Sequence, residues 1–252
     1  MEKIANDYYE IEIRDSVAII LIKKDVFELL TSQNESGLFF EYLGSLNSNA
    51  NVKGLLFINR PECLGEEVYD RFIKSINADQ PNGHNIRTSF EIDKIRRFKE
   101  INILDRFVEY ISNYNKLCFV VLSGSVVTPF FGLALATDIR YATSEMNFLL
   151  SHNNYGLHPS GGLPYFLIKE LGYSKALEIM LSEKVSAKKA LELGLISKIV
   201  PDDDFLDIVI EDIQKLTKHS NDTLRRTKQL SSYARGSMSD YFGYEASIIN
   251  LR

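Results

Sequence analysis

The chain has 252 residues, 45% of them hydrophobic, and a formal net charge of −5. That is enough for one substantial core and too little for two large domains. Charges of both signs are interspersed, which argues against a nucleic-acid surface built of clustered Lys and Arg, and no apolar run reaches the roughly 18 residues of a membrane span.

The first ten residues, MEKIANDYYE, are polar and acidic and do not read as a secretory signal. The two cysteines, Cys63 and Cys118, lie in apolar contexts and read as free core thiols. Together these features predict a cytoplasmic protein. Tyr8 to Ile13 alternates, Val17 to Ile22 is a continuous apolar run, and Arg14-Asp15-Ser16 joins them, so a hairpin is expected. Lys23 and Lys24 follow as solvated strand-end lysines or as phosphate contacts. Leu38, Phe39, Tyr42, Leu43 and Leu46 recur at helical spacing.

Val52 to Ile58 reads as a buried strand and Asn59 to Glu67 as a loop. Residues 68–100 are charge-rich and carry the turn cluster Asn77-Ala-Asp-Gln-Pro-Asn-Gly83, which predicts a mobile surface excursion. Ile101, Leu104, Val108 and Ile111 mark one face of a helix. Leu117 to Leu122 is an uncharged strand that turns at Ser123-Gly124. A helix is expected from Thr128 to about Ala136, with Thr128 as its cap and Pro129 in its first turn, where no N–H is needed.

Asp138 to Ala142 and Phe148 to Leu150 read as short strands, and Pro159-Ser-Gly-Gly162 leads into a helix ending near Gly172. Ser160 is a candidate cap for that helix. After Val200-Pro201 three helical segments follow. The first begins at Asp202-Asp-Asp204, with Phe205, Val209, Ile213 and Leu216 on its apolar face; the others cover about 221–234 and 238–250.

The sequence contains no P-loop, no dinucleotide-binding glycine motif and no G-x-S-x-G elbow. His152 and His158 are six apart rather than the four that would place two ligands on one helix face, so no metal site is expected.

Three blocks carry a resemblance: Lys116 through Gly124, Asp138-Ile-Arg-Tyr-Ala142, and Gly156 with Pro159-Ser-Gly-Gly162. With Leu171-Gly172, Ala176 to Leu181, Ser186-Ala187, Ala190 to Leu195 and Val200-Pro201, in this order and spacing, the chain resembles the crotonase (enoyl-CoA hydratase/isomerase) superfamily. The resemblance implies an α/β fold, a spiral of ββα units over residues 1–200, with a helical tail at 201–252 used in assembly of a homo-trimer or hexamer. The family's final E-G-x-x-A-F helix does not occur in this sequence. The implied ligand is an acyl-CoA or related acyl thioester, with no bound cofactor, no nucleic acid and no membrane partner.

Crotonase chemistry needs paired backbone N–H groups for the thioester oxygen and a carboxylate that moves a proton. Matched to the family pattern, Leu64-Gly-Glu-Glu67 stands at the first donor, with Glu66 supplying its N–H. Pro129 stands at the second donor, and a proline has no N–H; a one-residue bulge near Thr128 would place the Phe130 N–H there instead. Gly132 and His152 stand where the two glutamates would be. His152 is therefore the candidate proton-transfer group, poised near neutral pH, or else a histidine bonded into the wall of a degenerate site.

Phe130 and Phe131 fill space that the family leaves to glycines. Tyr155, His158 and Tyr165 are candidate polar groups of the pocket, and Ser160 falls near a position where some dehalogenase and dihydroxynaphthoyl-CoA synthase relatives carry an aspartate. Two functions stay open: an enzyme of this superfamily with a non-standard residue set (a lyase or isomerase), and a non-catalytic binding or scaffold subunit.

Overall fold

A computed structural model of the chain describes residues 3–76 and 94–249. Ten strands, eleven α-helices and one 3-10 helix occur among them. A seven-stranded sheet has the order β1-β2-β3-β4-β5-β7-β10. Its strands are β1 (Ile4–Ala5), β2 (Tyr9–Arg14), β3 (Val17–Ile22), β4 (Gly54–Asn59), β5 (Leu117–Leu122), β7 (Ile139–Thr143) and β10 (Lys198–Val200). The first three pair antiparallel, and from β3 onward every pairing is parallel. A small second sheet joins β6 (Ser125–Val127), β8 (Asn147–Leu149) and β9 (Lys184–Ser186).

The apolar runs of β3, β4 and β5 follow from burial on both faces, as parallel strands require. Leu55, Cys118, Val120 and Leu122 point into the larger core, together with α1 (Val26–Thr31), α2 (Gln33–Ser48), α4 (Lys94–Ser112) and α5 (Thr128–Leu135). Leu56, Ile58, Phe119 and Val121 point the other way, onto Val209, Ile210 and Ile213 of α9 (Leu206–Leu216). The remaining helices are α3 (Glu66–Ile76), α6 (Leu163–Leu171), α7 (Tyr173–Met180), α8 (Ala187–Glu192), α10 (Asn221–Arg235) and α11 (Met238–Ile249).

Several local expectations change. The segment after Lys23-Lys24 is helical (α1), and both lysines face acids of the β1–β2 region: Lys23 Nζ is 3.7 Å from Glu10 Oε1 and Lys24 Nζ 3.9 Å from Asp7 Oδ2. The expected excursion at 68–100 contains the end of α3 and the start of α4, and its turn cluster lies outside the described residues. The helix expected at Asp202 starts at Leu206, because Asp202 instead accepts from the backbone N–H and hydroxyl of Ser144, at 3.0 and 2.7 Å. Both cysteines are free and buried, and burial pushes each thiol up to about 12, so neither serves as a thiolate. Among the described residues no helix is long and apolar enough to cross a membrane.

Candidate functional site

The end of β4 and the end of β5 are tied by one side chain. Asn59 donates to the Ser123 carbonyl at 2.9 Å and accepts from the Ser123 N–H at 3.0 Å. This brings the loop after β4 against the turn after β5 so closely that a Cβ on Gly124 (φ +67°) would lie 2.5 Å from the Pro61 carbonyl oxygen. Farther on, the Val127 N–H donates to the Leu64 carbonyl at 2.9 Å. Through these contacts the first turn of α3, at Glu66, stands beside the β6–α5 junction.

Helix α5 begins differently from the sequence expectation. Val127 is its cap, with no side-chain cap bond, and Thr128 is the first helical residue. The Thr128 hydroxyl turns away to the strand behind it. It donates to the Leu149 carbonyl at 3.3 Å, accepts from the His152 N–H at 3.4 Å, and lies 2.9 Å from His152 Nδ1. Pro129 occupies the first turn without an N–H to offer.

Gly132 backs onto Gly161: a Cβ at 132 would come within 2.1 Å of the Gly161 carbonyl oxygen, and a Cβ at 161 (φ +70°) within 2.4 Å of the Pro129 carbonyl oxygen. The two backbones are interlocked, so no side chain fits at position 132. Phe131 is buried and stacks on Phe148, with ring centroids 3.7 Å apart at 11°. Phe130 packs instead on Phe27, at 4.7 Å.

His152 sits on the 3-10 turn Ser151–Tyr155 and is only 3% exposed. Burial is the main cause that lowers its pKa to about 4, helped by the nearby His158 and opposed by a backbone hydrogen bond with Met180. The ring is therefore neutral across the physiological range and does not titrate near pH 6–7, contrary to the expectation for a free histidine. Tyr155 meets Tyr69 of α3 edge to face at 5.5 Å. Ser160 does not cap α6: the cap position belongs to Gly162 (φ 71°), and Ser160 contributes its carbonyl, which accepts the Leu163 N–H at 3.4 Å. Tyr165 donates its hydroxyl to the Gly236 carbonyl at 2.8 Å, which makes it a tie to the start of α11. His158 Nδ1 is 3.7 Å from Glu245 Oε1 on α11, where burial and then Asp105 push the Glu245 carboxyl up to about 8.

Glu66 is exposed at the first position of α3, and its Oε1 accepts from Ser151 Oγ at 3.4 Å. The structure thus unites two pairs from the loops facing each other, Thr128 with His152 and Glu66 with Ser151. Sequence reasoning valued Glu66 for its N–H and overlooked its side chain, and it passed over Ser151 altogether. The available signal was a polar Ser-His pair at the end of a buried strand.

Beside these residues, between the sheet and helices α1, α2, α4 and α5, lies an apolar cavity of about 80 Å³. Phe130 forms one wall with Val26, Leu30, Phe107 and Leu133. Of the candidate site residues Phe130 lines it, as does Leu64 of the donor motif; His152, Tyr155, Ser160, Glu66, Pro129, Phe131 and Gly132 do not. Among the described residues no group of three or more His, Cys, Asp or Glu is placed to hold a metal ion.

The fold is that of the crotonases. An enoyl-CoA hydratase from Bacillus halodurans superposes with a TM-score of 0.75 at 19% identity, over 96% of this chain and 92% of that one. An enoyl-CoA hydratase/isomerase family profile matches residues 100–240, and the chain belongs to that family. A probable enoyl-CoA hydratase of Mycobacterium tuberculosis is 32% identical over 133 residues, which are 52% of this chain and 47% of the relative. The match thus spans about half the length of that relative. A trans-2-decenoyl-acyl-carrier-protein isomerase of Streptococcus mutans is 25% identical over 212 residues, 73% of this chain and 81% of that protein.

Proposed function

We propose that this protein binds an acyl-CoA or related acyl thioester where the first turn of α3, the start of α5 and the 3-10 turn meet, and that it does so without the family's standard glutamate pair. The observation that carries this reading is the interlock of Gly132 with Gly161, which leaves no space for a carboxylate from α5. The neutral, buried His152 on the 3-10 turn supports it. The membership of the chain in a family named for CoA thioesters supplies the ligand class. The locked His152 also favours the second reading, a binding or scaffold subunit without turnover.

Ordinary hydration of a short enoyl-CoA is expected at background level. One missing oxyanion donor costs roughly 10²–10³ in rate, and a missing acid–base group roughly 10²–10⁴. The losses do not simply multiply, since such groups act as a unit. The test is crotonyl-CoA consumption followed by absorbance, with an active crotonase as control. Turnover at about ten per second or faster overturns the reading.

The proposal extends to assembly, with residues 1–200 as the core and 201–252 as the tail that meets other copies in a trimer or hexamer. Leu230, Tyr233 and Tyr244 of α10 and α11 are 72%, 87% and 68% exposed, which supports a covered face there. A monomer mass by light scattering at micromolar protein contradicts it.

A further inference from the structure

The positions from which a carboxylate could be delivered by α5 or by the 3-10 turn hold Gly132 and His152, and both are closed. The first is sealed by the Gly161 backbone and the second is buried against Thr128. A carboxylate nevertheless reaches this place from the facing loop. Glu66 Oε1 stands 3.4 Å from Ser151 Oγ, and Ser151 immediately precedes His152.

Glu66 differs from His152 in two respects. It is exposed, so it can exchange its proton with water and meet a ligand. It also heads an eleven-residue helix, on an element separate from the 3-10 turn that holds His152. Ser151, itself buried, donates its hydroxyl to one carboxylate oxygen and leaves the other without a protein partner among the described residues. That arrangement orients a base and keeps one oxygen available.

The geometry points to Glu66 as the group that exchanges a proton with the α carbon of the bound acyl thioester, with Ser151 as its positioning residue. The inference rests on the thioester-binding reading above. The α C–H bond breaks and the proton passes to the Glu66 carboxylate. The electron pair moves into the bond between Cα and the carbonyl carbon, and the carbonyl oxygen takes the negative charge. In the return step Glu66 O–H protonates the same carbon. No oxidant or further reactant is involved, so the exchange runs on a saturated thioester.

The experiment uses butyryl-CoA in deuterated buffer at neutral pD, with α-deuterium read by mass spectrometry and binding measured separately by equilibrium dialysis. The wild-type protein is expected to bind butyryl-CoA and to label it well above the protein-free rate. In Glu66→Gln the amide oxygen still accepts from Ser151, so the tie between α3 and the turn is kept while the base is lost. Labelling should fall about 10²-fold or more, with the dissociation constant within about threefold of wild type.

Ser151→Ala should reduce labelling by a smaller factor, and Glu41→Gln, on an exposed carboxylate of α2, should leave it unchanged. Binding without labelling, or undiminished labelling in Glu66→Gln, overturns the role of Glu66 and leaves the binding reading standing. No binding of butyryl-CoA overturns the binding reading, and the role of Glu66 with it.

Discussion

The two ends of α5 show opposite ways of settling polar groups near a sheet edge. At the C-terminal end, the chain's own cations take up the helix carbonyls and their neighbours. Arg140, 7% exposed, donates to the carbonyls of Leu135, Thr137 and Leu195 at 3.5, 2.9 and 2.6 Å. Beside it Asp138 accepts from the Cys118 N–H at 2.7 Å and from Lys228 Nζ at 2.8 Å, and Lys228 also meets the carbonyls of Lys116 and Ile111. Every partner there is another part of the fold.

At the N-terminal end the contacts are backbone against backbone, Gly132 on Gly161, with a neutral hydroxyl–imidazole pair at Thr128 and His152. The first end holds family residues because they are structural, and changing one leaves a buried charge. The second end is held by neutral packing alone.

Removing the cation from the first end should have the largest effect. Lys228→Met leaves the Asp138 carboxylate without its ion pair beneath α10, at a cost of about 3–5 kcal/mol, measured by denaturant unfolding. A loss below about 1 kcal/mol would place this pair with exposed salt bridges and erase the contrast between the ends.

The second break is a pH series on His152→Gln. In the native protein the His152 pKa is lowered to about 4, against 6.5 for the free group. The folded state therefore binds fewer protons than the unfolded one in that window, and stability present above pH 6.5 is lost as pH falls toward 4. At 1.36 kcal/mol per unit, the loss is on the order of 3 kcal/mol. The variant should show a flatter stability profile between pH 4 and 6.5. An unchanged acid limb would mean that His152 is charged, and the second end would then resemble the first.

The third change sharpens the comparison at its closest contact. Gly132→Ala drives a methyl into the Gly161 carbonyl, and the loop must move, for about 1–3 kcal/mol. Gly132→Glu should be worse and should not create hydratase activity. A fully stable Gly132→Glu protein with measurable crotonyl-CoA turnover would show that the interlock yields.

The legibility of the sequence follows the same division. Strand β2 could be read from its alternation, β3 to β5 from their apolar runs, the helix after Gly124 from Thr128 and Pro129, and the apolar face of α9 from its 3.6-residue spacing. Helix α1 escaped because its six residues are too short for such a period, and it enters through Asp25 in a left-handed conformation (φ 47°). Thr128 and Ser160 each have the chemistry of a cap, and each lost that role to a tertiary contact or to a glycine with positive φ.

The sequence by itself determined the strands β2 to β5, the family and the absence of glutamates at positions 132 and 152, since these depend on residue type and spacing. The tertiary structure decided what the replacements do. Thr128 meets His152 across 24 positions, and Glu66 meets Ser151 across 85. The space at position 132 is set by the carbonyl of Gly161, and the pKa of His152 is set by how completely water is removed from it. Distances between remote backbones and the extent of desolvation are properties of the packed chain, and no local pattern of residues encodes them.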